Sequence, residues 1–230
     1  MHIHGLQKMS MVDFPGKIAA TVFTGGCNLR CPFCHNALLV TRLNESPLLE
    51  EAEVLKFLRS RRGLLDGVVL TGGEPLLQKD ATDFLAKVRD MGFAIKLDTN
   101  GCYPQALSRI LEQNLVDYVA MDIKNCRDKY GLTAGLPNFD IASVEESVEL
   151  LMSGNTDYEF RTTVAKELHT ISDIENIGRW IRGAKRYFLQ NFEDSGNLIS
   201  QGYHGFTEEE IRSMADHVSQ YVEHVGVRGY

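Results

Sequence analysis

Cysteine is scarce in this chain: five in 230 residues, an odd number, with three of them inside eight residues, Cys27 to Cys34. That distribution excludes a disulfide framework and reads instead as thiols kept reduced for metal. Long hydrophobic runs are absent, since none approaches the roughly 20 residues of a membrane span. The opening stretch, MHIHGLQKMSMVDFPGK, lacks the continuous apolar core of a secretory signal, so a soluble, cytoplasmic protein is expected. Positive charge is in deficit, with 24 Lys and Arg against 31 Asp and Glu and a net charge of −7. Such a balance argues against a protein that binds nucleic acid by neutralising phosphates, so neither nucleic acid nor membrane is expected as a partner. Linkers, low-complexity segments and repeats are also lacking, and residues 1–230 read as a single domain long enough to bury a full core.

What is present is an alternation of short apolar runs and longer amphipathic segments. Strands are expected at Lys17–Thr24, Gly67–Gly72, Phe93–Thr99, Val116–Ile123, Tyr158–Val164 and Lys185–Phe192. Helices are expected at Leu48–Arg61, around Asp80–Met91, at Pro104–Gln113, Ser143–Met152 and Ser172–Arg182, and about 207–222. Thr207, three residues before Glu210, suits a capping box. Residues 130–140, YGLTAGLPNFD, read as irregular. Repeated β-then-α units imply a parallel sheet; six of them are too few for a complete eightfold barrel, and an open or partial barrel fits better than a doubly wound sheet.

In parallel α/β folds the site forms at the carboxyl ends of the strands. Here the first strand runs into the loop GGCNLRCPFCHN (residues 25–36), the second into TGGEP, the third into LDTNG and the fourth into MDIKN. The fifth carries Arg161, and the sixth ends at Gln190 and Asn191. Any one of these is compatible with a turn or a cap; six in succession make a site. The C-x3-C-x2-C spacing admits two readings. His35 could complete a closed Cys3His zinc site, but adjacent Cys34 and His35 diverge awkwardly and no second ligand pair follows. Alternatively, three thiolates hold three irons of a [4Fe–4S] cluster and leave the fourth iron open for catalysis. Gly72 and Gly73 permit close backbone approach. Glu74, Asp98 and Asp122 with Lys124 offer mixed charges suited to a zwitterionic amino acid ligand. Cys102 and Cys126 read as small, buried or partly buried thiols, and His2 and His4 as strand or surface residues.

The cysteine spacing and GGEP resemble the radical S-adenosylmethionine superfamily. VDFPG (residues 12–16), CPFCHN, LDTNG and MDIKN are similar to its glycyl radical enzyme activating enzymes, those of pyruvate formate-lyase and anaerobic ribonucleotide reductase. The markers span residues 12 to about 125, and GLQKMSMVDFPGK with YFLQNF resembles the ribonucleotide reductase branch more closely. The resemblance implies a partial (β/α)6 barrel in which the open iron chelates the methionine moiety of S-adenosylmethionine. One electron, from a flavodoxin- or ferredoxin-like donor, then yields methionine and a 5′-deoxyadenosyl radical, which takes a hydrogen from a glycine of a partner enzyme. It further implies Cys27, Cys31 and Cys34 as cluster ligands, Phe33 and His35 beside the adenine, and Gly72, Gly73 and Glu74 at the amino group. Asp98, Thr99 and Asp122 would line a Na+ or K+ site, Lys124 would lie near the cosubstrate carboxylate, and Asp13 and Arg161 would face the glycine loop. Where the pyruvate formate-lyase activases carry a histidine near the end of strand six, this chain offers Gln190 or Asn191. It also lacks a cysteine-rich insert between Cys34 and Gly72 that could hold auxiliary clusters. A radical enzyme acting on a small molecule or another peptide, and a zinc-binding interaction domain, are the alternatives.

Overall fold

The computed structural model describes residues 1–194 and 196–229. The chain forms two compact units that alternate along the sequence: Met1–Asn28, Asn36–Thr99 and Tyr103–Ala120 make the first, and Leu29–His35, Asn100–Cys102 and Met121–Tyr230 the second.

In the first unit, β1 (Ile3–Ser10) runs antiparallel to β2 (Ala19–Thr24). Helices α1 (Ala37–Thr41) and α2 (Glu51–Ser60) follow, then β3 (Gly67–Gly72), α3 (Ala81–Asp90), β4 (Ala94–Thr99), α4 (Pro104–Glu112) and the start of β5 (Tyr118–Asp122). β2, β3 and β4 pair in parallel, in chain order. β2 and β3 are buried along nearly their whole length, which is why they read as continuous apolar runs rather than as alternation. Phe14, from VDFPG, is 3% exposed and packs in a core cluster with Ala19, Val69, Tyr118 and Ala120. Pro104 stands in the first turn of α4, where a missing N–H costs nothing.

The second unit takes the last two residues of β5, then α5 (Tyr130–Thr133), α6 (Ala142–Ser153), β6 (Asp157–Val164), α7 (Ile171–Trp180), β7 (Tyr187–Asn191), α8 (Glu208–Val218) and β8 (Val225–Arg228). β6, β7 and β8 are parallel neighbours. Tyr158, Phe160 and Tyr187 are fully buried among the strands, and the Tyr187 hydroxyl donates to Thr162 Oγ1 at 2.7 Å. Ile174 and Ile177 of α7 and Ile211, Met214 and Val218 of α8 are buried. Both helices begin with a capping box, Thr170 with Asp173 and Thr207 with Glu210.

Differences from the sequence expectations have local causes. β1 and β8 were not anticipated. β1 mixes buried, half-buried and exposed positions without alternation, and β8 is four half-buried residues containing a glycine. α2 starts at Glu51 rather than Leu48, because the Leu49 amide donates to the Ile3 carbonyl at 2.8 Å and keeps that stretch extended. α8 stops at Val218 and not at 222. The stretch read as irregular holds the single turn α5. Among the described residues, no helix is long and apolar enough to cross a membrane.

Candidate active site

In the first unit, the loops after β2 and β3 are laced together through backbone. The Gly73 amide donates to the Thr24 carbonyl at 2.9 Å, and the Glu74 amide to the Gly26 carbonyl at 2.8 Å. Side-chain amides close the lacing: Asn36 donates to the Gly72 carbonyl at 3.1 Å and Gln78 to the Gly25 carbonyl at 2.8 Å. The glycines are demanded by this crossing. A Cβ on Gly73 would stand 2.0 Å from the Gly26 oxygen, and one on Gly72 would stand 2.3 Å from Thr24 backbone atoms. Gly72 also has φ +127, a conformation that side chains avoid. So the space expected for a ligand beside these two α-carbons is filled by the β2 loop itself.

Glu74 is fully buried and its Oε1 accepts from the Leu76 amide at 3.0 Å and from the Thr99 hydroxyl at 2.8 Å. Thr99 is thereby turned to Glu74. Asp98 forms an ion pair with Lys96, whose side chain is 3% exposed. Asp13 Oδ2 accepts from the Thr21 hydroxyl at 2.6 Å, and the bend that carries it is fixed by Ser10 Oγ, which accepts from the amides of Val12 and Asp13.

The second unit holds a charged group. Asp122 Oδ2 accepts from Lys124 Nζ at 3.0 Å and Oδ1 from Arg161 Nε at 2.9 Å. Burial alone would raise the Asp122 pKa, but the charges of Arg161 and Lys124 outweigh it and hold the carboxyl low, at about 2. Burial works against the Lys124 ammonium too, and Asp122 and Cys31 more than restore it, so its pKa lies above the ordinary lysine range. Cys31 is buried, and burial pushes its thiol up to about 11, against the pull of the Lys124 charge toward thiolate. Cys34, on the same turn, donates its amide to the Cys31 carbonyl at 3.1 Å.

Aromatic rings surround the end of the cysteine loop. Phe33 meets Phe192 and Tyr203 edge-on at 6.5 and 6.4 Å, and the His35 ring lies 5.4 Å from Phe192. Burial lowers the His35 pKa although Glu193 and Asp194 act in the opposite sense, so its imidazole is neutral at neutral pH. His35, Thr163, Gln190, Asn191, Glu193 and Arg228 line a cavity of about 180 Å3. Of the two strand-end amides, Asn191 clasps the following loop, donating to the Phe206 carbonyl and accepting from its amide, both at 2.8 Å. Gln190 is the one of the pair whose role that clasp does not explain.

Among the described residues, no disulfide forms, and no group of three or more His, Cys, Asp or Glu side chains stands gathered as a ready metal site. Cys126 is buried, with its thiol donating to Asp173 at 3.5 Å, which agrees with the structural reading of that residue. Sequence reasoning missed Lys96 and Arg228. The first had a signal, a charge inside the apolar run FAIKLDT. Arg228 had none: it closes a bidentate pair with buried Glu159 and lies 3.6 Å over the Phe188 ring, on a strand that lies beyond the expected last helix.

Comparison with known proteins bears on this geometry. A family model described as the radical SAM superfamily matches residues 21–218. A Methanocaldococcus jannaschii protein named "Putative glycyl-radical enzyme activating enzyme MJ1227" is 30% identical over 98% of this chain and 95% of its own length. The pyruvate formate-lyase-activating enzyme of Clostridium pasteurianum is 36% identical over 55% of this chain, and the match spans about half of that enzyme, 53%. Among solved structures, Streptococcus suis SuiB superposes with a TM-score of 0.68 at 15% identity, over 89% of this chain and 47% of that one. The fold is therefore the mostly parallel α/β partial barrel that the repeated units implied, with β1 antiparallel.

Proposed function

The chain belongs to the radical S-adenosylmethionine superfamily, in the branch of the glycyl radical enzyme activating enzymes, and on that premise we propose that it activates a partner glycyl radical enzyme by removing a hydrogen atom from one of that enzyme's glycines. One observation carries the reading. The Glu74 amide donates to the carbonyl of Gly26, the residue before Cys27, which supports reading GGEP and the start of the cysteine loop as parts of one site.

The donor chemistry fits a [4Fe–4S] cluster: Cys27, Cys31 and Cys34 are soft ligands on one loop, and the Lys124 charge favours thiolate at Cys31. When bound, such a cluster supplies the electron that splits S-adenosylmethionine into methionine and a 5′-deoxyadenosyl radical. The chain's own residues bind and orient. Glu74, a buried carboxylate, offers charge to the methionyl ammonium, beside backbone that Gly72 and Gly73 keep close. Lys124 meets the carboxylate of the same moiety. Phe33 and neutral His35 flank the adenine, and Gln190 reaches the adenosyl group from the cavity wall. Asp13 and Arg161 face the incoming glycine loop, each held by a partner, Thr21 and Asp122. Residues 1–230 work as one radical S-adenosylmethionine domain in the cytoplasm. A flavodoxin- or ferredoxin-like protein supplies the electron, and neither nucleic acid nor membrane takes part.

The test is isotope transfer under anaerobic conditions. Reconstituted protein, reductant and S-adenosylmethionine are mixed with candidate glycyl radical enzymes carrying dideuterated glycine. Deuterium in the 5′-deoxyadenosine, read by mass spectrometry, is the expected result. Unlabelled product with every candidate would move the substrate to a small molecule or another peptide. Absence of cleavage, with zinc and no iron in the protein, would return the loop to a zinc site.

A further inference from the structure

The resemblance that assigns Asp98, Thr99 and Asp122 to a Na+ or K+ ion meets a donor set already in use. Lys96 sits two residues before Asp98 on β4, so both side chains leave the same face of the strand. Its register partner on β3 is Val69, a member of the apolar core cluster, and its side chain is 3% exposed. A lysine is retained at such a position when its ammonium has a specific partner. Here that partner is the Asp98 carboxylate. The Thr99 hydroxyl donates to Glu74. In the second unit, each Asp122 oxygen takes a cationic donor, Lys124 on one side and Arg161 on the other. Two carboxylates are thus matched by three cations of the chain itself, and a hard monovalent ion, which binds through oxygen lone pairs on several ligands, finds these engaged. The residues do not fit the ion.

We propose that the Lys96 ammonium occupies the seat beside Asp98 that a Na+ or K+ ion would take, making cosubstrate binding indifferent to the identity of the monovalent cation. Lys96 is a positioning residue. It neutralises Asp98 with a covalently tethered charge, which needs no ion from solution and whose three N–H donors can be satisfied by carboxylate oxygens. The inference rests on the reading of this chain as an S-adenosylmethionine enzyme, and its test keeps the two separable.

The anaerobically reconstituted holoenzyme is assayed for equilibrium binding of S-adenosylmethionine in KCl, NaCl or tetramethylammonium chloride at equal ionic strength. Wild type is expected to bind within about twofold in all three. Lys96→Ala opens the seat. Its affinity is expected to fall about tenfold or more in tetramethylammonium and to recover in KCl or NaCl, a rescue that a purely structural lysine would not give. The cluster-free proteins supply a second readout: thermal midpoints of wild type that do not respond to the cation, and of Lys96→Ala that rise with K+ or Na+. If Lys96→Ala fails to fold, Lys96→Met paired with Asp98→Asn removes both charges, and its binding is expected to be as cation-indifferent as that of wild type. Wild type that binds tightly only in K+ or Na+ would overturn the proposal while leaving the enzyme assignment intact. Absence of S-adenosylmethionine binding in every salt would overturn the assignment, and this inference with it.

Discussion

The first unit fixes the expected site residues through backbone, the second through charge. In the first, four glycines at residues 25, 26, 72 and 73 let two loops cross, and hydrogen bonds between uncharged amides hold the crossing. In the second, Asp122 is held between Arg161 and Lys124, and the same Lys124 charge acts on Cys31. Backbone lacing responds to steric volume and is indifferent to pH and salt. A charged cluster tolerates small changes in volume and responds to protonation. The contrast teaches where each kind of substitution does damage. Among the expected site residues of the first unit, Asp98 stands apart, ion-paired with a lysine whose side chain is 3% exposed.

The largest effect is expected at Cys31, a buried residue of the second unit on which the Lys124 charge acts. Cys31→Ser keeps the volume of the side chain and removes one of the three proposed cluster ligands. Loss of an outer-shell partner at a metal site costs about 10- to 100-fold, so loss of a ligand is expected to exceed about 100-fold in cosubstrate cleavage. Iron content and 5′-deoxyadenosine formation check it together, and cleavage at the wild-type rate would remove Cys31 from the ligand set. Next comes Gly73→Ala. The added carbon would meet the Gly26 carbonyl at 2.0 Å, and because that atom is backbone no rotamer change relieves the contact. Overpacking of this severity costs about 3 kcal/mol. Urea unfolding of the cluster-free protein should give that loss equally at pH 7 and pH 4. A loss that changed with pH would break the contrast from the first side.

How much of this was legible in the sequence follows from the same contrast. The β/α order, the cysteine loop and the glycine motifs could be read because a strand end followed by C-x3-C-x2-C or GGEP is a local pattern. The capping box at Thr207 could be read for the same reason, and the one at Thr170 carried an equivalent signal, threonine three residues before Asp173, that went unused. What could not be read was pairing. LDTNG displays Asp98 and Thr99, but nothing in it says that one turns to Lys96 and the other to Glu74. Gly72 and Gly73 announce close approach, and only the fold identifies what approaches as the loop after β2. β1 was illegible because its register against β2 shifts twice along eight residues, so it shows no period. β8 was illegible because four residues following a helix are too few to establish one.

The smallest effect is the one that tests the second side of the contrast. The Asp122 carboxyl is held at about 2, below its ordinary value of 3.8, because Arg161 and Lys124 outweigh its burial. The unfolded chain therefore binds this proton more readily than the folded one. Its contribution to stability is fully present above the unfolded value and is lost as pH falls through about 2. Discounted for the carboxylate's partial exposure, that difference converts to about 2 kcal/mol. Asp122→Asn removes the titration and leaves Arg161 and Lys124 facing a neutral amide. In urea unfolding of the cluster-free protein, wild type is expected to exceed the variant by about 2 kcal/mol at pH 7 and pH 5. The two should converge between pH 4 and pH 2, the window set by the two pKa values. A difference of the same size at pH 7 and pH 3 would mean that Asp122 is held by hydrogen bonds that an amide cannot reproduce and not by charge, and the two units would then be built on one principle.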